Sequence, residues 1–537
     1  MEEKSCKQCW IMFTITDSDK DFLEQVSPAF AWKKYAISSP TFCPDCRQQR
    51  RLSFRNERKL YKRTCDFSWE SIVSVYSPEK PYKIFHPKYR WSDTRDPMDY
   101  GVEVDMKKSF LEQYLTMYNV IPHLSLFAGV ESNENSEYTN HITNLKNCYL
   151  IFNSYFGENS YYGNELLHCK HAVDFYNVSY SEYLYACVNC SNCYKVFFAV
   201  NCTNCRDSYM LSECAWLDHC IDCHNLQDKS YQYQNKPISK EEYQTILEKL
   251  QKEKALEIPQ SQWFHKSNTI VGSEDCSGND IFSCKNCQDC YDIKNSQDCK
   301  YCYNIFDIKD CMDIYTWWKD SSLMYDATCV GNNNHHILRC SAGVSKSQDM
   351  IYCSECQSCK ECFGCIGLRN KQYCILNKQY SKADYEKLVP QIIEYIIRTW
   401  ERWEFFPSSL SPFGYNETVA QEYFPLTKEE ALAKWFNRSD YEAPFPKGDG
   451  KDVIICEVSG KPFRLIPQEI EFYKKHNLPF PTKHPDVRHA ERMKLRNPRK
   501  LRDRKCAKCL VAIETTYAPE RPEIVYCENC YNKEIYW

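Results

Sequence analysis

Apolar residues recur at a short fixed interval through residues 133–380. The segments CQDCYDIKNSQD (287–298), CKYCYNIFDIKD (299–310) and CMDIYTWWKDSS (311–322) align at twelve residues. Each carries a cysteine, then a cysteine or isoleucine three positions on, a tyrosine, and an apolar position two later. CSNCYKVFFAVN (190–201) and CTNCRDSYMLSE (202–213) follow the same scheme, and Cys148, Cys169 and Cys190 recur at 21 residues. Self-similarity at a fixed period, built from β-forming Tyr, Phe, Ile and Val, predicts a parallel β-solenoid. The expected coil is 21–24 residues, made of two such units. Cysteine suits an inward ladder because it is small and apolar. Asparagine or aspartate often precedes it, as at Asn147, Asn189, Asn201, Asn286, Asp289, Asp298 and Asp310, where an amide can hydrogen-bond along the coil. CKNCQDC (284–290) and CSECQSCKECFGC (353–365) look like iron–sulfur runs but lack the closing C-P, and Ile314 takes a cysteine's place in the same phase. Packing tolerates that exchange and metal ligation does not.

The repeat is itself doubled. YQYQNKPISKEEY (231–243) matches YCILNKQYSKADY (373–385), and each opens a helix with a capping signal, Ser239 with Glu242 and Ser381 with Asp384. Helices are expected over 240–254 and 382–404, closing the exposed ends of two solenoid lobes. Thr427 with Glu430 starts a shorter helix, and FPKGDGK (445–451) reads as a linker.

Outside this region the pattern changes to helical spacing of basic residues between cysteine pairs. Cys6 and Cys9 with Cys43 and Cys46, and Cys506 and Cys509 with Cys527 and Cys530, have the spacing of tetrahedral four-thiolate zinc sites. The two ends are copies: residues 43–65 lie over 484–506, and 75–86 over 516–527, at a constant offset of 441. Each end holds the plan ribbon, basic segment, ribbon, and each has lost one ribbon. Cys65, Ser68, His86 and Tyr89 stand at the failed site of the first copy, and Cys456, Ser459, His484 and Val487 at that of the second. Cys65 with His86, and Cys456 with His484, are remnants that pack in a core or help hold a third ion. The basic segments contribute Arg47, Arg50, Arg51, Arg55 and Arg58 in one copy and Arg492, Arg496, Arg499 and Arg502 in the other. Such a stripe beside a rigid ribbon is a way to meet phosphates, or else a solvated, salt-bridged face.

The expected fold is mixed and β-rich: duplicated zinc-ribbon modules at both termini flanking two Cys-rich parallel β-solenoid lobes, each followed by a capping helix. The modules occupy 1–100 and 451–537, a connecting helix 101–132, the lobes 133–236 and 266–378, the capping segments 237–265 and 379–404, and a linker with a short helix 405–450. Composition narrows the chemistry. The 537 residues include 35 cysteines but only 14 glycines, and no phosphate-cradling, nucleophile-elbow or H-E-x-x-H motif is present. A net charge of -4 excludes a uniformly basic coat. The start lacks a signal-peptide pattern and no stretch is apolar enough for a membrane span, so a reducing cytoplasm is expected, with cysteines as thiols or ligands.

The stretch from CKQCWIMFTITDSDKDFLEQ to PTFCPDCRQQRR resembles the probable zinc-ribbon domain of small bacterial proteins. The whole chain, through NSEYTN (135–140), NKQYSKADY (377–385) and SPFGYNETVAQEYFPLT (411–427), resembles large zinc-ribbon proteins of uncultivated, small-genome bacteria. The resemblance implies zinc at Cys6, Cys9, Cys43 and Cys46 and no particular activity; residues 456–487 depart from the ribbon pattern. The expectation is a non-catalytic scaffold carrying two Zn²⁺ per chain, without a membrane or small-molecule partner. Nucleic acid, RNA or ribonucleoprotein, leads as partner through the basic segments, with Tyr161, Tyr162, Tyr180 and Tyr183 as stacking platforms. The alternatives are a protein-interaction scaffold on the solenoid surface and a β-helical polysaccharide enzyme using Asp307, Asp310 and Asp313.

Overall fold

The computed structural model describes the chain except residues 31, 94, 129–131, 260–262, 315–319, 329–330, 400–403, 445–452 and 537. The expected linker at 445–451 falls outside the described residues. The chain divides into two compact units that interleave in sequence. The first comprises Met1–Ser125, Asn268–Tyr441 and Arg499–Leu501, and the second Leu126–Ser267, Glu442–Pro498 and Arg502–Trp537. The N-terminal module thus groups with the second solenoid lobe, and most of the C-terminal module with the first.

In the second unit, eight parallel strands from Asn140–Lys146 to Ser230–Tyr233 form one ladder, closed by the antiparallel Lys236–Pro237. Each residue pairs with the one 12 further on, Lys170 with Glu182 and Glu182 with Tyr194. The coil is therefore 12 residues, which corrects the 21–24 expected from cysteine spacing. The 21-residue recurrence joins inward positions on two different sides of successive coils, whereas the twelve-residue alignment was already a whole turn.

The backbone explains how so short a coil closes. Every third residue adopts the left-handed conformation: Asn189, Asn192, Lys195, Phe198, Asn201 and Asn204 have φ between 51° and 60°. Each coil is a square with three residues per side. The residue after each corner points inward, the next outward, and the third turns the chain. L-residues resist this conformation by about 1–2 kcal/mol, least for Asn and Asp. This is a second reason for Asn and Asp before the inward cysteines. The amides also stack as expected: Asn177 donates to Asn189 and Asn189 to Asn201, both at 3.0 Å.

A square of this size admits only small or medium side chains. Inward positions hold Cys187, Cys190, Cys193, Val196, Ala199, Cys202 and Cys205, all buried. Volumes compensate between neighbouring coils. Gly163 lies opposite Phe175, and a Cβ there would come within 2.3 Å of the Phe175 ring. The inward thiols are satisfied as donors: Cys190 bonds the Val188 carbonyl at 3.4 Å and Cys353 that of Ile351 at 3.4 Å, each two residues back.

The first unit carries the same construction. Four parallel strands run from Ile270–Val271 to Tyr303–Phe306, and six from Ile308–Met312 to Gln372–Ile375, with the antiparallel Lys378–Gln379 at the end. From Ile308 to Gln348 the register lengthens to 13, as in Ser322 with His335. The helices Lys240–Glu253 and Lys382–Arg398 follow the two lobes at their expected places, with Ser239 and Ser381 as N-caps. In the first unit Tyr385, Val389, Ile392 and Ile396 pack with Phe110, Tyr114 and Met117 over the outward residues Tyr325, Leu338, Ile351 and Phe363. The expected connecting helix contributes those three from Phe110–Val120. No described helix is long and apolar enough to cross a membrane.

Candidate metal centre

Four hairpins share one local geometry, two in each unit. In the first, the Cys6 amide donates to Ile11 and the Trp10 amide to Cys6, both at 2.9 Å. The same pair of bonds recurs at Cys65 with Trp69 and Glu70, at Cys456 with Gly460 and Lys461, and at Cys506 with Leu510 and Val511. The fifth residue of each hairpin is left-handed, with φ between 62° and 67° at Trp10, Trp69, Gly460 and Leu510. This turn aims two side chains three residues apart at one point. The second half of each site is a residue immediately before a helix, at Cys43, His86, His484 and Cys527. Pro44, Pro87 and Pro485 open three of these helices, where the missing amide costs nothing.

At the two complete sites the sulfurs converge. Those of Cys6, Cys9, Cys43 and Cys46 lie within 4.8 Å of one another, as do those of Cys506, Cys509, Cys527 and Cys530. The Cys9–Cys43 and Cys509–Cys527 separations are both 3.7 Å. A tetrahedron with metal–sulfur bonds of about 2.3 Å has an edge of about 3.8 Å. Amides support the thiolates: that of Cys43 donates to the Cys6 sulfur at 3.3 Å and that of Cys527 to Cys506 at 3.2 Å. The Cys46 thiol, donating to Cys43, pulls the latter down to about 5. Burial opposes ionisation of Cys506, but the amides of Cys509, Cys527 and Lys508 bring it to about 6. Both sets of four can hold a metal ion.

The two incomplete hairpins keep the frame but not the ligands. The His86 amide donates to the Cys65 sulfur at 3.5 Å, and that of Ser459 to Cys456 at 3.4 Å. Both histidines cap their helices, accepting through Nδ1 from Lys88 at 3.2 Å and Asp486 at 3.1 Å. Neither Cys65/His86 nor Cys456/His484 belongs to a group of three or more ligand atoms among the described residues.

The basic segments are placed differently from a phosphate-facing stripe. The helix Pro44–Leu52 lays Arg47, Arg50 and Arg51 against the solenoid, at 2, 5 and 0% exposure. Arg47 Nε bonds Asp313, and Arg51 bonds Asp326 at 2.9 Å and reaches Asp313 at 3.2 Å. Arg50 meets Glu404 at 3.4 Å, Arg55 pairs with Glu57, and Arg58 lies 3.8 Å from Glu422. Burial opposes the Asp326 carboxylate, yet Arg51, Arg50 and Arg47 hold its pKa below the ordinary value. The second unit repeats the design. Arg488, the counterpart of Arg47, and Arg492, that of Arg51, both grip Asp174, Arg492 at 2.7 Å. Arg496 donates to the Tyr176 hydroxyl at 3.1 Å. Within the first unit Arg499 bonds Asp292 at 2.8 Å. Arg502 is half-buried in the hairpin, opposite Thr515. Arg63 and Arg504, also counterparts, each bind three carbonyls of the turn that follows their hairpin. Guanidinium groups that the sequence offers to phosphates are thus committed largely to carboxylates, hydroxyls and carbonyls of their own unit.

Tyr161 and Tyr162 are buried under the helix Pro467–Lys475, whereas Tyr180 is 57% exposed. Asp307, Asp310 and Asp313 are three successive corners of one coil, so they face different sides. The sequence reading missed the knuckle tips: Trp10, Trp69 and Leu510 are 76, 79 and 69% exposed. The signal was available, because an apolar residue directly after a C-x-x-C turn, as at Trp10 and Leu510, or after its relic C-x-x-S, as at Trp69, has no core to enter.

The class these features define is a parallel β-solenoid protein with a four-cysteine knuckle site, able to hold a metal ion, near each end of the chain. No family model, curated protein or solved structure matches this chain.

Proposed function

We propose that the chain is a non-catalytic scaffold, stapled by one zinc ion at each four-cysteine site, that recognises a protein partner. Zinc is favoured because four cysteine sulfurs in a tetrahedral frame suit it and leave no open position for catalysis. The observation that carries the choice of partner is the burial of Arg47, Arg50, Arg51, Arg488 and Arg492 in carboxylate pairs. A phosphate backbone needs cations that face solvent. The open side of the first lobe alternates in sign and is paired along the coil, Lys146 with Glu134 at 3.1 Å and Lys170 with Glu158 at 2.9 Å. That suits a protein surface better than a polyanion. The exposed Trp10, Ile11 and Met12 at one tip and Trp69 at another supply the large apolar groups that anchor protein interfaces.

Affinity capture with the zinc-loaded full chain tests this reading. A defined protein retained after nuclease treatment, and lost with Trp10→Ser and Trp69→Ser, is the expected result. Recovery of RNA instead, with affinity falling steeply in salt, would return the polyanion as partner. Metal analysis of the same preparation is expected to give two zinc per chain.

A further inference from the structure

Inside the second lobe one group of thiols departs from the rule that governs the others. Among the described residues, each inward cysteine of the solenoid donates to the carbonyl two residues back, except Cys311. Cys299 reaches Gln297 at 3.2 Å and Cys302 reaches Lys300 at 3.1 Å. Cys311 instead meets only sulfur, Cys299 at 2.9 Å and Cys302 at 3.1 Å. The break falls where the coil lengthens, for Cys311 pairs with Met324, 13 residues on, while Cys299 in the coil before obeys the 12-residue register. Three sulfurs converge within 4.8 Å, all at most 1% exposed, and among the described residues no fourth metal-ligating atom joins the group.

We propose that Cys299, Cys302 and Cys311 form a three-sulfur site for a trivalent thiophilic centre, with arsenic(III) as the chemical type. Number and charge decide the class. Three donors do not complete the tetrahedron that zinc takes in closed sites. The surrounding inward positions are Ile293, Ile305, Ile308 and Ile314, with the Cys287 and Cys290 thiols in the coil before; all are buried, none carries a positive charge, and neither thiol lies within 4.8 Å of all three sulfurs. A divalent ion on three thiolates leaves one net negative charge in this interior, and a monovalent ion leaves two. An uncompensated buried charge costs several kcal/mol. A trivalent centre leaves none. With arsenous acid, As(OH)₃, three As–O bonds break and three As–S bonds form. Each thiol proton leaves on a hydroxyl as water, giving As(SR)₃ and three waters with no change of oxidation state.

The test uses the reduced, zinc-loaded full chain, exposed to arsenite both as folded protein and during refolding, then freed of excess. Native mass spectrometry and arsenic X-ray absorption are the readouts. One arsenic per chain with three sulfur neighbours, and zinc content unchanged, is expected. Cys311→Ser abolishes that arsenic while Cys353→Ser, in the later thiol cluster, retains it. Serine is tolerated at inward positions, as Ser296 and Ser347 are both buried there. Should Cys311→Ser fail to fold, Cys299→Ser reads the same loss. Absence of bound arsenic under both regimes overturns the proposal, as does arsenic gained only with loss of zinc or equal arsenic in Cys311→Ser and the parent.

Discussion

Single side chains decide how the terminal modules attach. Asp174 accepts from Arg488 and Arg492 at a position 2% exposed, so removing it strands two buried cations. Breaking a buried pair costs about 3–5 kcal/mol. Asp174→Ala is expected to lower the stability of the second unit by that amount in chemical denaturation, and Asp313→Ala to do the same in the first. Glu469 makes the second unit pH-dependent. Burial pushes its carboxyl up to about 7, against the pull of Arg488. Its unfolded value is near 4.3. The folded state therefore holds a proton that the unfolded state has lost, so stability is full below about 4 and declines as pH rises to about 7. The loss is about 4 kcal/mol. Glu469→Gln is expected to flatten the stability–pH profile between pH 5 and 7, and a profile unchanged by the substitution would refute the assignment.

At the scale of elements, the ends of the ladders are closed by a side chain that imitates backbone. Asn377 accepts from the Ile366 amide and donates to the Ile366 carbonyl, both at 2.8 Å, as the next coil would. Asn235 does the same with His224 at 3.0 and 2.8 Å. These asparagines occupy matching positions of the doubled NK segments. Leaving two buried backbone groups unpaired costs about 1–3 kcal/mol each. Asn377→Ala is expected to destabilise the first unit accordingly and to speed amide exchange at Ile366. Gly163→Ala meets Phe175 instead, and overpacking of this kind costs about 1–3 kcal/mol. Thermal unfolding should show a comparable loss. The elements themselves were legible: the capping signals at Ser239, Ser381 and Thr427 each start a helix. Coil length was not, because counting from cysteine to cysteine mixes different sides of the square. The three-residue recurrence of Asn or Asp before an inward residue carries the true side length.

Over the whole chain, metal removal is expected to act locally first. Chelation should unfold the hairpins at Cys6–Cys46 and Cys506–Cys530 and loosen the adjoining basic segments, while the solenoid ladders persist. Hydrogen exchange with and without chelator measures this, and uniform protection in both states would count against metal as the staple. The sequence by itself determined the local chemistry: cysteine pairs at ligand spacing, caps, the duplicated ends and a small-residue interior, because these depend on residue type and near neighbours. The tertiary structure alone decided what the arginines do. Their helical spacing defines a cationic face equally well for phosphate or carboxylate. Asp174, Asp313 and Asp326, which claim that face, lie more than 260 residues away along the chain from their partners. Only folding brings those charges together, and the cost of burying either one unpaired makes their pairing the outcome.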